Sequence, residues 1–350
     1  MQLCEPMPPR PRVSVVMPYY ENHRTVVACL ESFSTQSEPP LEIIVVDDGS
    51  SHSMQEAVGS HSFTKPVRLL CGAHAGQSAA TNVGILAAQG EVTLLTCADI
   101  IAHPDLIKHH ADAHAQQREP VAVMGNLPYA RTVEMTPFMR WLCMPARQFC
   151  FGMIQDPEQV PHKYCYAPNF SVPTAVLQQM GGFDEKFIYG YQDTDLGIRL
   201  HDQGLRMVYR AAAIGYHDHP NSVRAYARRQ FQVGEATLTM LEKYPDPGQK
   251  NRFCDIIKRY RAFVARLPNV LDDVEKLEKY MGQLPQTQRR LPPQLVGLYD
   301  FITVVALVDG MLKFPQRLVD VLGFQEDSRA DAALPLAAAA AAAAACTVSP

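Results

Sequence analysis

Apolar residues along the chain alternate between two patterns. Short runs that are apolar nearly throughout and rich in β-branched residues occur at Val13–Met17, Leu41–Val46, Val67–Leu70, Val92–Leu95 and Val121–Met124. Between them lie segments with apolar positions at helical spacing. In Arg24–Phe33 these are Val26, Val27, Leu30 and Phe33. Gly76–Gln89 is rich in Ala, and Gly90 follows it where a helix C-cap prefers glycine. Pro104 stands where a further helix opens, since its missing N–H costs nothing there. Uniformly apolar strands alternating with helices predict a parallel sheet covered on both faces.

The pattern continues with a strand over Tyr164–Val172, a turn at Gly181-Gly182-Phe183-Asp184 and a helix over Asp193–Asp202. The stretch Tyr129–His162, which holds the only Trp (Trp141), shows no clear period. After Pro220 the character turns helical: Ser222–Lys243, Phe253–Leu267 and further stretches to Leu322. Arg224, Arg228 and Arg229 share the first of these helices, and a solvated face is expected for them ahead of a diphosphate or an anionic lipid. Leu295–Leu312 has the look of a membrane span but carries Asp300 and Asp309 half a helical turn out of phase. Each would cost about 2.5–3.5 kcal/mol on insertion, so a packed or interfacial helix is expected. Contact with a membrane surface, closure of the core and a dimer face all remain open for it. The chain divides into an N-terminal tail at 1–12, an α/β domain at 13–220, a helical region at 221–324 and a tail at 325–350. Nine consecutive Ala (Ala337–Ala345) offer that tail no amphipathic face, so disorder is expected.

Composition narrows the picture. The 350 residues are 47% hydrophobic, enough for a large core with an appendage. A formal net charge of -4 argues against a nucleic-acid partner. Nine scattered Cys without a Cys-x-x-Cys pair argue for a reducing compartment rather than a disulfide framework or a structural zinc. The proline-rich start, Met1–Arg12, lacks the apolar run of a secretory leader, and a cytoplasmic location is expected.

Ligands of an open parallel sheet bind beyond the carboxyl ends of its strands. Those positions are polar here: Pro18-Tyr19-Tyr20-Glu21 after the first run, Asp47-Asp48 after the second and Asp99 after the fourth. No Gly-x-Gly-x-x-Gly follows the first strand and no P-loop motif occurs, which removes the usual support for dinucleotide or P-loop binding. Carboxylates repel phosphate unless a divalent cation such as Mg²⁺ or Mn²⁺ bridges the two. Asp99 suits the role of metal ligand, and Asp48 that of acceptor for a base N–H.

Four blocks now come together: VSVVMPYYENHRTVVACLESFSTQS, IIVVDDGSS, GQSAATNVGILAAQGEVTLLTCADIIAHPDLI and NFSVPTAVLQQMGGFDEKFIYGYQDTDLGIRLHDQG. In this order, from Val13 to about Pro220, they resemble the inverting glycosyltransferases of family 2. The resemblance implies a GT-A fold, α/β with a mostly parallel sheet flanked by helices, here followed by a C-terminal helical region. It also implies a nucleotide-sugar donor, UDP-linked in many members, and a glycan, lipid-linked or protein acceptor. Position by position, Pro18, Tyr19 and Glu21 fall where the family contacts the nucleotide. Asp48 falls at the aspartate that recognises the base, with Asp47 beside it, and Asn82 on the helix behind the diphosphate. Asp99 is the last position of the Asp-x-Asp metal motif. Gly182, Phe183 and Asp184 form a turn on the acceptor side, followed by Gln192. Asp193 matches the catalytic base of the Glu-Asp pair, and His217, or else His219, a further metal ligand.

Three positions depart from that pattern. Cys97 replaces the first Asp of the metal motif, Thr81 stands where a basic residue often precedes Asn82, and Gln192 replaces the Glu beside the base. A thiol is a poor match to Mg²⁺. These departures support a rival reading, a noncatalytic module that binds a nucleotide sugar or a partner. Each motif also has a bland reading: Asp47-Asp48-Gly49-Ser50 as a turn, Asp99 as a carboxylate ahead of a helix, Asp193 and Asp195 as solvated first-turn acids, and His217-Asp218-His219 as a surface cluster. Neither the sugar, the linkage nor the oligomeric state is legible.

Overall fold

The apolar runs become the central strands of an eight-stranded sheet. In the computed structural model the described residues are 8–324, except Ser53, Ser60, Ala146, Cys150 and 285–289. The Ala-rich segment expected to be a tail lies outside them. They form two compact units. The first runs through Val133 and adds Phe151–Ile188 and Gln192–His219. The second comprises Glu134–Cys150, Tyr189–Tyr191 and the chain from Pro220 onward.

The elements begin with β1 (Val13–Tyr19), α1 (Val26–Ser34), β2 (Glu42–Asp47), α2 (Met54–Val58) and β3 (Val67–Cys71). There follow α3 (Gln77–Ala87), β4 (Val92–Thr96), β5 (Ile100–Ala102), α4 (Leu106–Ala115) and β6 (Val121–Asn126). Helix α5 (Pro137–Leu142) belongs to the second unit. The first unit resumes with β7 (Asn169–Pro173), α6 (Thr174–Gln179), α7 (Gln192–Asp202) and β8 (Arg206–His217). The strand order is β3-β2-β1-β4-β7-β6-β8-β5. Pairs β1–β2, β1–β4, β2–β3 and β6–β8 are parallel, while β7 runs antiparallel to both its neighbours and β5 antiparallel to β8. Strands β2 and β4 are buried at every residue. Full burial of each Val, Leu or Ile contributes about 1.5–3 kcal/mol, which is why these runs sit at the centre. In-register pairing of Tyr19 with Asp47, and of Asp47 with Cys71, aligns the carboxyl ends of β1, β2 and β3.

Several elements differ from expectation. The long strand β8 and the short β5 have no counterpart among the apolar runs. In β8 the pairing with β6 jumps from Gly125↔Arg210 to Asn126↔Ile214, so Ala211–Ala213 bulge out of the ladder. Three Ala, good helix formers, interrupt the strand signal there. The strand expected over Tyr164–Val172 is shorter, because His162–Tyr164 form a 3₁₀ turn and pairing begins at Asn169. Helix α3 ends at Ala87, ahead of Gly90. A Cβ at Gly90 would lie 2.6 Å from the Ser14 N and 2.8 Å from the Arg12 O, so this glycine is needed for close approach to β1 rather than as a cap.

In the second unit come α8 (Val223–Lys243), α9 (Pro247–Tyr260), α10 (Leu267–Gln283), α11 (Pro293–Leu312) and α12 (Pro315–Leu322). The single helix expected over Phe253–Leu267 is broken by a 3₁₀ segment, Arg261–Arg266. Pro268 sits in the first turn of α10, where its missing N–H is tolerated, and it could not continue α9. Trp141 of the unreadable stretch proves to be core: it packs with Phe138, Tyr226 and Tyr299 at centroid distances of 5.2, 5.9 and 5.7 Å. Asp300, 2% exposed, accepts from the Trp141 Nε1–H at 3.1 Å and pairs with Arg147 at 2.9 Å. Among the described residues α11 alone is long and apolar enough to cross a membrane, yet it carries this buried ion pair and most of its length is buried.

A polar network is buried under β6, β7 and β8. The Asn169 Nδ2 donates to the Asn126 and Ala213 carbonyls, at 3.0 and 2.9 Å, spanning the bulge. The Asn169 Oδ1 therefore accepts, so the His110 Nε2 carries the proton at 2.8 Å. The His110 Nδ1 then accepts from the Ser171 hydroxyl at 2.8 Å, whose oxygen accepts from the His114 Nε2–H at 2.8 Å. Both imidazoles are thus neutral. Burial lowers His110 to about 4, against the bond from Asn169, and lowers His114 to about 3.

Two predictions follow from these buried groups. Unfolded His binds protons below its ordinary value near 6.5, whereas folded His110 and His114 do not until far lower. Stability should therefore be full above pH 6.5 and fall as the pH drops toward 4, by on the order of 3 kcal/mol for His110. Urea unfolding across this range checks it, and His114→Gln should flatten the dependence. In the second unit, Arg147→Met should destabilise by about 3–5 kcal/mol by stranding the Asp300 charge, whereas the double change Arg147→Met with Asp300→Leu should recover most of that loss in the same assay.

Candidate functional site

The carboxyl ends of β1, β2 and β4 gather most of the residues singled out by sequence. Asp47, 3% exposed, accepts from the Ser50 N–H at 3.0 Å and the Met54 N–H at 2.8 Å, so it holds the turn and starts α2. Asp48, 4% exposed, accepts from the Ala75 and Gly76 N–H groups at 2.8 and 2.9 Å. The His74 Nδ1 also reaches its carboxylate at 2.9 Å. A carboxylate has about four acceptor sites, so Asp48 retains capacity for one more donor. Tyr20, half exposed, stacks on His74 with centroids 4.3 Å apart and planes 24° from parallel, making a flat aromatic surface next to Asp48. Pro18 lies within β1 beside Val46. Burial, then the charges of Asp47 and Glu21, push the Tyr19 phenol up to about 12. Glu21 takes a left-handed backbone (φ 50°), and hydrogen bonds from Ser51 hold its carboxyl below the usual range.

Asp99 lies three residues past β4. Its Oδ2 is 3.6 Å from the His217 Nε2 and 3.3 Å from the His219 Nδ1. The two imidazoles stack on each other, with centroids 5.5 Å apart. β5 and β8 create this meeting, since Ile100 pairs with His217 and the Asp218 N–H donates to the Asp99 O at 2.8 Å. Asp218, between the two His, turns instead to Arg24 and Thr132. Burial alone would raise the Asp99 carboxyl, but hydrogen bonding and charge from His217 and His219 outweigh it and hold it well below the usual range. The other oxygen, Oδ1, is buried with no hydrogen-bond partner among the described residues. One carboxylate and two imidazoles with ligand atoms this close, the carboxylate's second oxygen buried and unpaired, fit a divalent metal ion.

A narrow crevice of about 10 Å³ is lined by Gln77, Thr81, Thr96, Cys97, Gln192 and Asp193, among others. The Gln77 side chain donates to the Cys97 sulfur at 3.6 Å, and the Ala167 N–H donates to the Asp193 Oδ2 at 3.2 Å. Cys97, Thr81 and Gln192, the three departures from the family pattern, thus share one cleft with Asp193. Asp195 is not a solvated acid: it is fully buried and paired with Arg199 at 2.8 Å.

Asn82 lies behind that cleft and clamps the glycine turn. Its Oδ1 accepts from the Phe183 N–H at 2.7 Å, while its Nδ2 donates to the Phe183 O at 3.0 Å and to Glu185 at 2.9 Å. Gly182 has φ +68°, and a Cβ there would lie 2.2 Å from the Asn82 Oδ1, so no other residue fits. Asp184 accepts from the Lys186 N–H at 3.1 Å and closes the turn.

Sequence reading missed Tyr20 and His74 and left His219 as an alternative to His217. The adjacent aromatic pair Tyr19-Tyr20 was a signal for the first. Nothing local announced His74 or the joint use of both His, because each depends on a loop closing from another strand.

Comparison with known proteins bears on the family and the fold. The family described as glycosyltransferase like family 2 matches residues 9–234. A probable glycosyltransferase of Bacillus subtilis, YdaM, is 25% identical over 254 residues, 69% of this chain and 58% of that protein, so the chain spans little more than half of that relative. A glucosyl-dolichyl phosphate glucuronosyltransferase of Haloferax volcanii is 26% identical over 313 residues, 84% of this chain and 94% of that protein. Among solved structures, the mannosyltransferase PcManGT of Pyrobaculum calidifontis, in complex with GDP-Man and Mn²⁺, aligns with a TM-score of 0.50 at 18% identity, over 97% of this chain and 81% of that one. The sheet is that of a GT-A fold, and with a family match spanning well over half its length the chain belongs to glycosyltransferase family 2.

Proposed function

We propose that the chain is a metal-assisted, inverting glycosyltransferase that moves a sugar from a nucleoside-diphosphate donor, UDP-linked by preference, to a hydroxyl of a lipid-linked glycan. The observation that carries this reading is the Asp99 carboxylate facing two imidazoles with its second oxygen buried and unpaired. The near full-length likeness to a protein named for glucosyl-dolichyl phosphate favours a lipid-linked acceptor over a free glycan or a protein. A cytoplasmic enzyme touching the membrane that carries its acceptor belongs to the same reading.

Asp99, His217 and His219 would hold the divalent ion, and two imidazoles favour Mn²⁺ over Mg²⁺, which prefers an all-oxygen shell. When bound, the ion supplies positive charge that neutralises the departing diphosphate. The Tyr20–His74 surface stacks the base, and Asp48 accepts a base N–H while bracing the loop at Ala75 and Gly76. Pro18, Tyr19 and Glu21 border the nucleoside. Asn82 keeps the turn at Gly182, Phe183 and Asp184 in place on the acceptor side. Asp193 takes the proton of the acceptor hydroxyl as its oxygen forms the bond to the anomeric carbon and the bond to the diphosphate oxygen breaks. Gln192 places a neutral amide, rather than the family's Glu, beside Asp193.

Calorimetry of UDP, GDP and dTDP, with and without Mn²⁺, tests the donor site. One nucleotide should bind only with Mn²⁺, and Asp99→Asn should abolish the metal-dependent part. Absence of binding by every nucleotide to folded protein would refute the assignment. Asp193→Asn should leave nucleotide binding intact and lower turnover by about 10²–10⁴-fold, the usual contribution of a general base. Undiminished acceptor or partner binding with no turnover in the wild type would favour the rival noncatalytic module.

A further inference from the structure

A second cluster of ligand-type side chains lies at the ends of β1 and β2, apart from the Asp99 site. Glu21 and His23 come from the segment after β1, and His52 from the segment after β2. One carboxylate oxygen and one nitrogen from each imidazole lie within 4.8 Å of one another. We propose that Glu21, His23 and His52 form a second metal site, built for a borderline transition ion of the zinc class. The inference does not rest on the assignment of the donor site.

Each prospective ligand is already oriented through its other polar atom. The Tyr19 hydroxyl lies 2.7 Å from the His23 Nδ1, which leaves the Nε2 to face the Glu21 Oε2 at 3.2 Å. The Ser51 hydroxyl lies 3.2 Å from the His52 Nδ1, which leaves that Nε2. The Ser51 N–H donates to the Glu21 Oε1, which leaves the Oε2. Metal-ligating His and carboxylate groups characteristically have their second atom held in this way, which sets ring orientation and tautomer. The left-handed turn at Glu21 is itself anchored, because the Glu21 N–H donates to the Ser50 hydroxyl at 3.1 Å. The rings of His23 and His52 stand nearly perpendicular, at 82°, with centroids 5.3 Å apart. That leaves both edges free to converge on one ion.

The donor set selects the ion. Two imidazoles and a carboxylate suit zinc-like cations, whereas Mg²⁺ and Ca²⁺ call for oxygen shells. Three protein ligands at exposed positions leave a fourth for water or an incoming donor atom. On binding, neutral His23 would change tautomer: the proton on the Nε2 is exchanged through water for one on the Nδ1, the Tyr19 hydroxyl turns so that its oxygen accepts from the Nδ1–H, and the ion would sit between the freed Nε2 and Glu21. The ion would clip together the two segments that carry Glu21 and His52.

Chelator-stripped, tag-free full-length protein titrated with Co²⁺, read by the visible bands of four-coordinate cobalt and then by displacement with Zn²⁺, tests the site. Wild type and Asp99→Asn should both develop the signal, and His23→Ala or His52→Ala added to Asp99→Asn, which removes the competing site, should abolish it. Tyr19→Phe, which keeps all three ligands, should weaken Co²⁺ by about 10–100-fold, as loss of an orienting partner does. Circular dichroism of each variant establishes that it is folded. A signal that survives in His23→Ala and His52→Ala but vanishes in Asp99→Asn would overturn the proposal by placing the ion at the Asp99 site alone, and the absence of any Co²⁺ or Zn²⁺ binding by wild type would also overturn it.

Discussion

Three hydrogen bonds from the Asn169 side chain hold together the part of the sheet on which the Asp99 cluster depends. At the bulge of β8 the ladder with β6 is interrupted, and the partly buried Asn126 carbonyl and the buried Ala213 carbonyl would be left without ladder donors. The Asn169 amide supplies both, while its oxygen is pinned by His110. A buried unpaired carbonyl costs about 1–3 kcal/mol, so the amide offsets a sizeable penalty at each. Only with the bulge bridged does β8 run on to pair with β5, and only that pairing brings His217 and His219 to Asp99. The end of β8 that carries His217 thus lies beyond a bulge bridged by a neutral polar network.

The carboxylates at the strand ends divide into two kinds. Asp47 and Asp48 are occupied by backbone N–H groups and brace the loops that follow β2 and β3. Asp99 has one oxygen turned to imidazoles and the other unpaired. Two carboxylates of the first kind fix the shape of the edge, while the second has charge to offer a cation. Under the proposed reading, this division would let an edge so rich in acids border a phosphate group.

Cys97 and Gln192 are neutral where the family pattern has carboxylates, and both line the cleft that holds Asp193. Removing two negative charges from one small cleft lowers repulsion around Asp193. Under the proposed reading, the two His at Asp99 would supply ligands in place of the missing Asp of the metal motif. The three departures, Thr81, Cys97 and Gln192, thus fall in one neighbourhood with Asp193.

The strands of the central sheet were legible because fully buried parallel strands must be apolar at every position, and Val13–Met17, Leu41–Val46 and Val92–Leu95 have no other use. The polar residues after them were legible for the same reason, since polarity resumes where burial stops. What local pattern could not carry was β8, whose Ala211–Ala213 bulge reads as helix former, and Trp141, whose helix has no period of its own yet lies at the centre of the second unit. The meeting of Asp99 with His217 and His219, stacking of Tyr20 on His74 and convergence of His52 on Glu21 each join residues from separate strand ends. Sequence determined which chemistry stands at each strand end through local burial, and tertiary structure alone decided which of those ends meet, because strand order and the bulge of β8 are set by non-local pairing that no single segment encodes.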